Sequence, residues 1–325
     1  FLDEILRGKS HTLSIAEEEM LARAGEMGNA PYQIYAMFNN ADITFGSVRD
    51  ENGEEQVLSS GRFVAMEENS DRRVRKEAFE VFYRSYEQFK NTLAAVFDAN
   101  LRQSSFFAKE HHYSSSREYY LDSNAIPVSV YDQLIDTIHE KLPLMYRYVE
   151  LRKKILGLDE MHMYDVYVPL ASEVQKTYTF EEAKQIVQRG LKPLGEKYGT
   201  VLKQGMESRW IDIYENEGKR TGAYSWGAYG THPYVLLNFN GNLTNVFTLA
   251  HEMGHALHSY FSDEAQPYLY AGYKIFVAEV ASTCNEALLI HYLLEQSKDE
   301  KERMYLINYF LDKFKGTMFR QTMFA

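Results

Sequence analysis

The sequence predicts a mainly α-helical protein with only short β-structure, and three observations support this. Apolar residues recur at helical spacing along most of the 325 residues. Two capping boxes, Ser14 with Glu17 and Thr179 with Glu182, mark helix starts. Residues 234–239 alone carry a clear strand composition, and Gly241-Asn242 follows as a stop signal. Long helices therefore have to supply most of the core.

The predicted elements follow each other with few breaks. Asn52-Gly53 is a turn signal inside a segment of alternating apolar residues, which indicates a small hairpin or an extended link. The other predicted elements are helices, over 14–27, from Asp71 to about Phe107, from Pro127 to near Gly157, and from Thr179 past Leu191 toward Leu202.

The most informative helix is predicted over residues 243–261, because it contains His251, Glu252 and His255 in an otherwise apolar run. Histidines four residues apart project from one helix face, so both imidazoles can reach one tetrahedral metal ion. Glu252 then lies beside the position of a metal-bound water and can take its proton. Burying these polar groups without a partner would be costly, and a metal ion supplies one. The pattern predicts the core of a zinc peptidase.

A third protein ligand has to come from another element. His258 lies two turns from His251, roughly 10 Å along the axis, so we expect it to hydrogen-bond in the core or to line a pocket. Glu279 is the better candidate. It lies on a second helix, over 275–294, where an isolated buried carboxylate would be unfavourable. Its polar stripe consists of Glu279, Ser282, Thr283 and Glu286.

Glu286 lies two turns after Glu279 on the same helix face. It could accept the outer N–H of a ligand histidine and fix the tautomer of that ring. The alternative is a buried acid paired with a basic side chain. Cys284 is predicted to pack in the core, although a thiol so near a zinc site could also bind the metal adventitiously.

The composition limits which classes of molecule we expect as binding partners. The net charge of −11, without a long basic run, argues against a nucleic acid. Cys284 is the only cysteine, so an intrachain disulfide is impossible and a reducing, cytoplasmic location is expected. Neither a transmembrane stretch nor a secretory leader is recognisable, which argues against a membrane partner. The start at Phe1 and a last segment that is still helical indicate a piece of a longer protein; the oligomeric state stays open.

The strand over 234–239 directly precedes the metal helix. We expect it to offer free N–H and C=O groups to an extended peptide, which would add to it as another strand. Gly222, Gly227 and Gly230 permit close backbone approach in the segment before it. A surface turn rich in glycine and tyrosine is the alternative interpretation of that segment.

Several segments together resemble the oligoendopeptidase F family, within the thimet-oligopeptidase-like zinc metallopeptidases. They are 223–227 (AYSWG), 232–239 (HPYVLLNF), 248–260 (TLAHEMGHALHSY) and 278–286 (AEVASTCNE), with 39–45 (NNADITF) and 75–79 (RKEAF) nearer the N-terminus. The resemblance covers essentially the whole chain. It implies a mainly α-helical, zincin-like fold with a deep channel that admits short peptides and excludes folded proteins.

The resemblance also implies one Zn²⁺, held by His251, His255 and Glu279, with Glu252 as the base. We predict that zinc activates a water molecule to attack an internal peptide bond of a short, unfolded oligopeptide. Glu252 takes the water's proton and passes it to the leaving amine. The predicted substrate-binding residues are Ala223, Tyr224, Ser225, His232 and Tyr234.

The predicted organisation is a partial N-terminal accessory helical lobe over residues 1–70 and a catalytic region over 71–325. In the family, tyrosines and a histidine that stabilise the transition state lie further toward the C-terminus than this chain extends. The catalytic region is therefore expected to be incomplete at its C-terminal end.

Two other functions stay open at this stage. One is a metal-binding scaffold or peptide-binding module without activity, which the missing C-terminal groups favour and Glu252 disfavours. The other is an aminopeptidase, which would need an acidic anchor for a free peptide amine. No such motif is recognisable before the strand over 234–239.

Overall fold

The computed structural model describes residues 2–170, 177–217, 219–220 and 222–325. Phe1, where the predicted N-terminal lobe begins, lies outside them. The described residues form two compact units: residues 2–170 with 315–325 in the first, and those of 171–314 in the second. Helices dominate both units and the strands are two or three residues long, which confirms the mainly α class. None of the helices in the described ranges is long and apolar enough to cross a membrane.

The first unit contains most of the helices and one hairpin. In chain order its elements are α1 (Leu2–Gly8), α2 (Ile15–Gly28), α3 (Ala30–Met37), β1 (Ser47–Arg49), β2 (Glu55–Val57), α4 (Ser60–Glu67), α5 (Arg72–Glu87), α6 (Lys90–Glu110), α7 (Ser116–Asp122) and α8 (Val128–Ile155). The predicted capping box at Ser14 is formed, and β1 and β2 pair antiparallel around the Asn52-Gly53 turn. Both local predictions are confirmed.

The single helix predicted from Asp71 to Phe107 is wrong, because the chain breaks between α5 and α6. Phe89 has a non-helical backbone (φ −107°, ψ 12°), and its ring packs against Phe38 with centroids 5.0 Å apart. This tertiary contact sets the break, while the apolar spacing continues through it unchanged.

The core of the first unit is aromatic, with a buried ion cluster beside it. The Phe82 ring stacks between Phe45 and Phe63, at centroid distances of 4.6 and 3.9 Å. Asp165 is fully buried and accepts hydrogen bonds from Arg72 and Arg75. Two guanidinium groups on one carboxylate satisfy a charge that would otherwise be costly to bury.

The second unit contains the predicted site. Its elements are α9 (Phe180–Gly190), α10 (Gly195–Glu207), β3 (Ile211–Asp212), β4 (Tyr224–Trp226), β5 (Tyr234–Leu236), α11 (Leu243–Ala265), α12 (Tyr268–Ala271), α13 (Ile275–Gln296) and α14 (Glu300–Phe314); a last helix, α15 (Arg320–Thr322), belongs to the first unit. The capping box at Thr179 is formed, but the helix predicted to run toward Leu202 ends at Gly190. Pro193 and Gly195, whose φ of +89° is left-handed, separate α9 from α10.

The three strands of this unit form a small mixed sheet in the order β3-β5-β4. β5 pairs with β3 in parallel, with Ile211 opposite Val235, and with β4 antiparallel, with Ser225 opposite Val235. The strand predicted over 234–239 therefore exists, although only three of its residues are assigned to it. It is the central strand of the sheet.

The core of the second unit surrounds α11, which is buried on several sides because α9, α10, α13 and the sheet pack around it. Its fully buried residues include Val246, Leu249, Met253 and Leu257. The predicted domain boundary near Asp71 stays a prediction, since the compact units divide the chain elsewhere.

Candidate metal centre

α11 presents the two predicted ligand histidines from the middle of a well-formed helix. Asn242 caps its N-terminus, where the side chain accepts a hydrogen bond from the Asn245 N–H at 2.8 Å. His251 and His255 lie two and three turns further on, and their rings are half-buried. The helix is therefore fixed at its start and held by core packing where it carries the histidines.

Gly254 allows α13 to pack directly against the backbone of α11. A Cβ at this position would lie 2.7 Å from the Ser282 Cα atom and 3.0 Å from the Ala281 carbonyl oxygen. Buried Asn285 ties the same helices together, since its side-chain amide donates to the Ala250 carbonyl at 2.9 Å. Close contact brings the polar stripe of α13 onto the histidine face of α11.

Three ligand atoms converge where the helices meet. The Nε2 atoms of His251 and His255 are 3.2 Å apart, and Glu279 Oε2 lies 3.4 Å from the first and 3.5 Å from the second. A tetrahedral zinc ion with bonds of roughly 2.0–2.1 Å has ligand atoms about 3.3 Å apart. The triangle therefore has the size that a zinc ion requires, and the fourth tetrahedral direction is not taken by any of the three side chains.

Hydrogen bonds behind the rings leave both Nε2 lone pairs directed at this point. His251 Nδ1 donates to Glu286 Oε1 at 2.5 Å, and a backbone hydrogen bond to Ala278 holds the His255 ring. Burial alone would lower the pKa of His251, but the hydrogen bond and charge of Glu286 outweigh it and raise that pKa. Burial lowers the pKa of His255. Two lone pairs and a carboxylate facing one another repel unless a cation lies between them, so the donor set fits a metal ion.

Glu279 occupies the predicted position, although the reason for expecting it there needs correction. Its side chain is 62% exposed among the described residues, so it is not the buried carboxylate that the apolar helix suggested. Ser282, fully buried on the next turn, donates to Glu279 Oε2 at 2.7 Å. This hydrogen bond orients the same oxygen atom that faces the two histidines.

Glu252 is buried against the core side of α11, with 6% of its surface exposed. Burial raises its pKa to about 7; the charge of His251 opposes this, while those of Glu279 and Glu286 add to it. A carboxyl group that is half-protonated near neutral pH can both accept and donate a proton.

Glu286 contacts both kinds of partner that the sequence analysis considered, a histidine ring and a basic side chain. One oxygen accepts the His251 ring N–H, and the other lies 2.8 Å from Lys313 Nζ on α14. Burial would raise the pKa of Glu286, but the hydrogen bonds from His251 and Lys313 lower it. The Glu286 side chain is therefore an ionised acceptor behind the His251 ring.

His258 and Cys284 are the two other residues that the sequence analysis considered near the site. His258 stacks on Tyr273 with centroids 3.7 Å apart, and its buried Nδ1 has no hydrogen-bond partner in the described part of the chain. Cys284 is exposed on α13, which corrects the prediction that it packs in the core.

The five predicted substrate-binding residues do not share one surface. The Tyr224 and Tyr234 side chains are exposed, whereas the Ser225 hydroxyl is buried and Ala223 packs against the core. His232 stacks on Trp210, with centroids 5.7 Å apart, and its Nδ1 lies 2.7 Å from the Pro233 carbonyl oxygen. Their substrate roles stay a prediction.

The expectation that the strand over 234–239 offers a free edge is wrong, because β5 has a neighbour on each side. Within the described residues, β4 is an edge strand of this sheet. Its outer side is the part of the sheet that comes closest to the predicted free edge. Val235 donates its N–H to the Trp210 carbonyl, toward β3. The direction of the backbone N–H and C=O groups alternates along a strand. Those of Tyr234 and Leu236 therefore point toward β4, and those of Tyr224 and Trp226 point back toward β5. The N–H and C=O groups of Ser225 therefore point to the open edge.

Several residues that build the centre were not assigned roles from the sequence. The sequence pattern places Ser282 in a polar stripe, includes Asn285 only within the 278–286 segment of the resemblance, and assigns no role to Lys313. Gly254, inside the histidine motif, was the available signal for a close helix contact. Lys313 gave no local signal, because it lies on a helix 27 positions beyond Glu286.

A histidine-bearing helix, a carboxylate from a second helix and a short sheet beside them define a zincin-like metallopeptidase fold. The chain belongs to peptidase family M3, whose profile matches residues 65–325. A second profile, described as oligopeptidase F, matches residues 1–45.

Relatives with this fold include both sequences and solved structures. The chain is 50% identical to oligopeptidase PepF of Bacillus subtilis and 46% identical to group B oligopeptidase PepB of Streptococcus agalactiae. Each match covers 100% of this chain. The crystal structure of oligoendopeptidase-F from Enterococcus faecium superposes with a TM-score of 0.77 at 39% identity, over 99% of this chain and 51% of that one. A candidate peptidase from Chlamydophila abortus gives 0.90 at 38% identity, over 99% and 54%. The chain covers only 48% and 54% of the two sequence relatives, about half their length.

Proposed function

We propose that this chain carries the metal site of a zinc-dependent endopeptidase that cleaves short, unfolded oligopeptides. The observation that supports it most is the triangle of His251, His255 and Glu279 ligand atoms, with edges of 3.2–3.5 Å. Family membership and the oligopeptidase names of the relatives agree with it.

His251, His255 and Glu279 would hold the zinc ion, and Glu252 would move the proton. Bound zinc would polarise the scissile carbonyl group and make a water molecule more acidic. Glu252 takes a proton from the water molecule while the water oxygen forms a bond to the carbonyl carbon. It then delivers the proton to the amide nitrogen as the carbon–nitrogen bond breaks, a type of step worth roughly 10²- to 10⁴-fold in rate.

The open edge of β4 would align the substrate. The Ser225 N–H and C=O groups can pair with the main chain of an extended peptide, and this pairing is indifferent to side chains. Weak sequence preference is therefore expected, with the exposed Tyr224 and Trp226 rings modulating it.

Metal analysis tests the site independently of activity. The intact protein should bind about one zinc ion per chain, and His255→Ala should lose it. His291→Ala is the matched control on α13, because this exposed histidine lies outside the triangle. Full zinc stoichiometry in His255→Ala would remove the ligand assignment.

Peptides with both ends blocked test the reaction. We expect cleavage at internal bonds, loss of cleavage after metal removal and recovery when zinc is restored. Binding of these peptides without cleavage would favour an inactive peptide-binding module. Cleavage that requires a free amino terminus would favour an aminopeptidase.

A further inference from the structure

α14 brings a cation into the hydrogen-bond chain behind the first ligand histidine. Lys313 Nζ lies 2.8 Å from Glu286 Oε2, while Glu286 Oε1 accepts from His251 Nδ1 at 2.5 Å. The Glu286 side chain is only 12% exposed, so water competes little for either oxygen. The chain runs without interruption from Lys313 through Glu286 to the His251 ring.

An apolar contact one turn earlier fixes how Lys313 approaches. Tyr309 stacks on Phe247, with centroids 4.4 Å apart and an interplanar angle of 25°. Tyr309 precedes Lys313 by four residues on α14, and Phe247 precedes His251 by four residues on α11. One turn of α14 therefore contacts α11 directly through the stacked rings, and the next turn reaches His251 through Glu286 on α13.

A carboxylate held by only one of its oxygens keeps torsional freedom. It can rotate about its last bond or exchange its two oxygens, and either motion changes the direction in which it accepts the imidazole N–H. An ammonium group on the second oxygen restricts both motions through a charge-assisted hydrogen bond. The orientation of the His251 ring, and with it the direction of the Nε2 lone pair, then depends on Lys313.

We propose that Lys313 is a positioning residue for His251, acting through Glu286 to hold the ring in the orientation that binds metal. The proposal rests on the metal site of the proposed function. It assigns Lys313 no contact with substrate and no part in proton transfer.

The first test measures zinc affinity by competition with a chromogenic chelator, using the intact protein. Lys313→Met should weaken zinc binding about tenfold, the lower end of the range for partners behind a ligand histidine. Lys313→Arg keeps the charge and the donors and should restore most of the affinity. Lys301→Met is the matched control, since it removes an exposed lysine from the first turn of α14.

The second test needs no metal. In protein labelled with ¹⁵N-histidine, the His251 Nδ1–H resonance is assigned by its loss in His251→Gln. We expect it to shift or broaden in Lys313→Met and to remain in Lys313→Arg and Lys301→Met. Circular dichroism identifies any variant that has lost its fold; should Lys313→Met unfold, Lys313→Gln replaces it.

The outcomes separate the two proposals. Unchanged zinc affinity together with an unchanged His251 resonance in folded Lys313→Met would overturn the positioning role. A wild-type protein that binds no zinc would instead overturn the metal site, and the His251 resonance would still decide whether Lys313 orients Glu286.

Discussion

Glu252 is buried among apolar side chains, where an ionised carboxylate is unfavourable unless nearby groups stabilise its charge. It is almost fully buried in α11, and burial raises its pKa to about 7. A neutral side chain of the same shape should be accepted there without loss of the fold.

Glu252→Gln should therefore bind zinc with the parental stoichiometry, while peptide hydrolysis falls by about two orders of magnitude or more. The reason is that glutamine keeps the size and polarity of glutamate but cannot accept the proton of water. Turnover of a blocked peptide and zinc content are measured on the same preparation.

Glu264→Gln provides the comparison for that variant, because Glu264 lies near the end of the same helix in a surface ion pair with Lys197. It should retain near-parental turnover. Near-parental hydrolysis by Glu252→Gln would exclude Glu252 from the mechanism.

Glu67, the last residue of α4, should make the stability of the first unit depend on pH. Burial, with the charge of Glu68 nearby, raises its pKa to about 7. The folded state then binds more protons than the unfolded state between about pH 4.5 and 7. Stability contributed by protonated Glu67 is present below the unfolded pKa and lost as the pH rises through 7.

Glu67→Gln should be more stable than the parent at pH 8, by on the order of 1–3 kcal/mol, and no more stable at pH 4. Urea unfolding at both pH values measures this, with hydrogen exchange of α4 as a local readout. Glu87→Gln, at the exposed end of α5, should show no such gain at pH 8. An equal gain in both variants would mean that overall net charge, rather than burial, causes the effect.

At the scale of elements, the contact between α11 and α13 decides whether the proposed metal site can form, because each helix brings only part of the candidate ligand group. Gly254→Ala would place a methyl group 2.7 Å from the Ser282 Cα atom, which a rigid helix backbone cannot avoid by a rotamer change. We expect a loss of about 1–3 kcal/mol in stability and weaker zinc binding, since α13 must move away.

Gly199→Ala separates this packing effect from helix propensity. Gly199 lies inside α10 with nothing within 4 Å of its added Cβ, so alanine there should be neutral or stabilising by up to about 1 kcal/mol. Thermal unfolding and chelator competition on both variants make the comparison. Parental stability and affinity in Gly254→Ala would contradict the close-contact argument.

Elements whose ends are coded locally could be predicted from the sequence. The capping boxes at Ser14 and Thr179 start helices where expected, because the cap and its partner lie three residues apart. The break at Phe89 could not be predicted, since it depends on a ring 51 positions away. Pro193 and Gly195 mark the break after α9, whereas the apolar spacing that continues past them predicts a longer helix.

The site likewise combines features that a local sequence pattern encodes with features that depend on tertiary contacts. His251, Glu252 and His255 are recognisable because one helix carries them at fixed spacing. Glu279 is recognisable because it is an acid in the polar stripe of a second, largely apolar helix. The central place of β5 was not recognisable, since it depends on a two-residue parallel contact with β3. Lys313 depends on how a third helix packs, which no local pattern encodes.

At the scale of the whole molecule, substrate selection should follow from main-chain pairing at β4. A strand edge accepts a peptide only when the peptide is extended, so a segment inside a folded domain should be a poor substrate. A blocked peptide of about ten residues should be cleaved much faster by the intact protein than the same sequence in an ordered loop of a stable domain.

A control isolates the role of pairing from that of access. Replacing one amide N–H of the peptide by an ester oxygen, away from the scissile bond, should weaken binding only at positions that pair with Ser225. Comparable cleavage of the peptide and the folded loop would indicate an open site and a general protease.

The outer edge of β4 also bears on the behaviour of the protein at high concentration. An unpaired strand edge can template pairing between copies of a chain and so promote aggregation. β4 has only three residues, and hydrogen bonds worth about 1 kcal/mol each cannot offset the roughly 4–15 kcal/mol that association costs in lost freedom of motion. The shortness of the strand therefore disfavours edge-to-edge pairing between copies, while a peptide with further contacts to the proposed site could still use this edge.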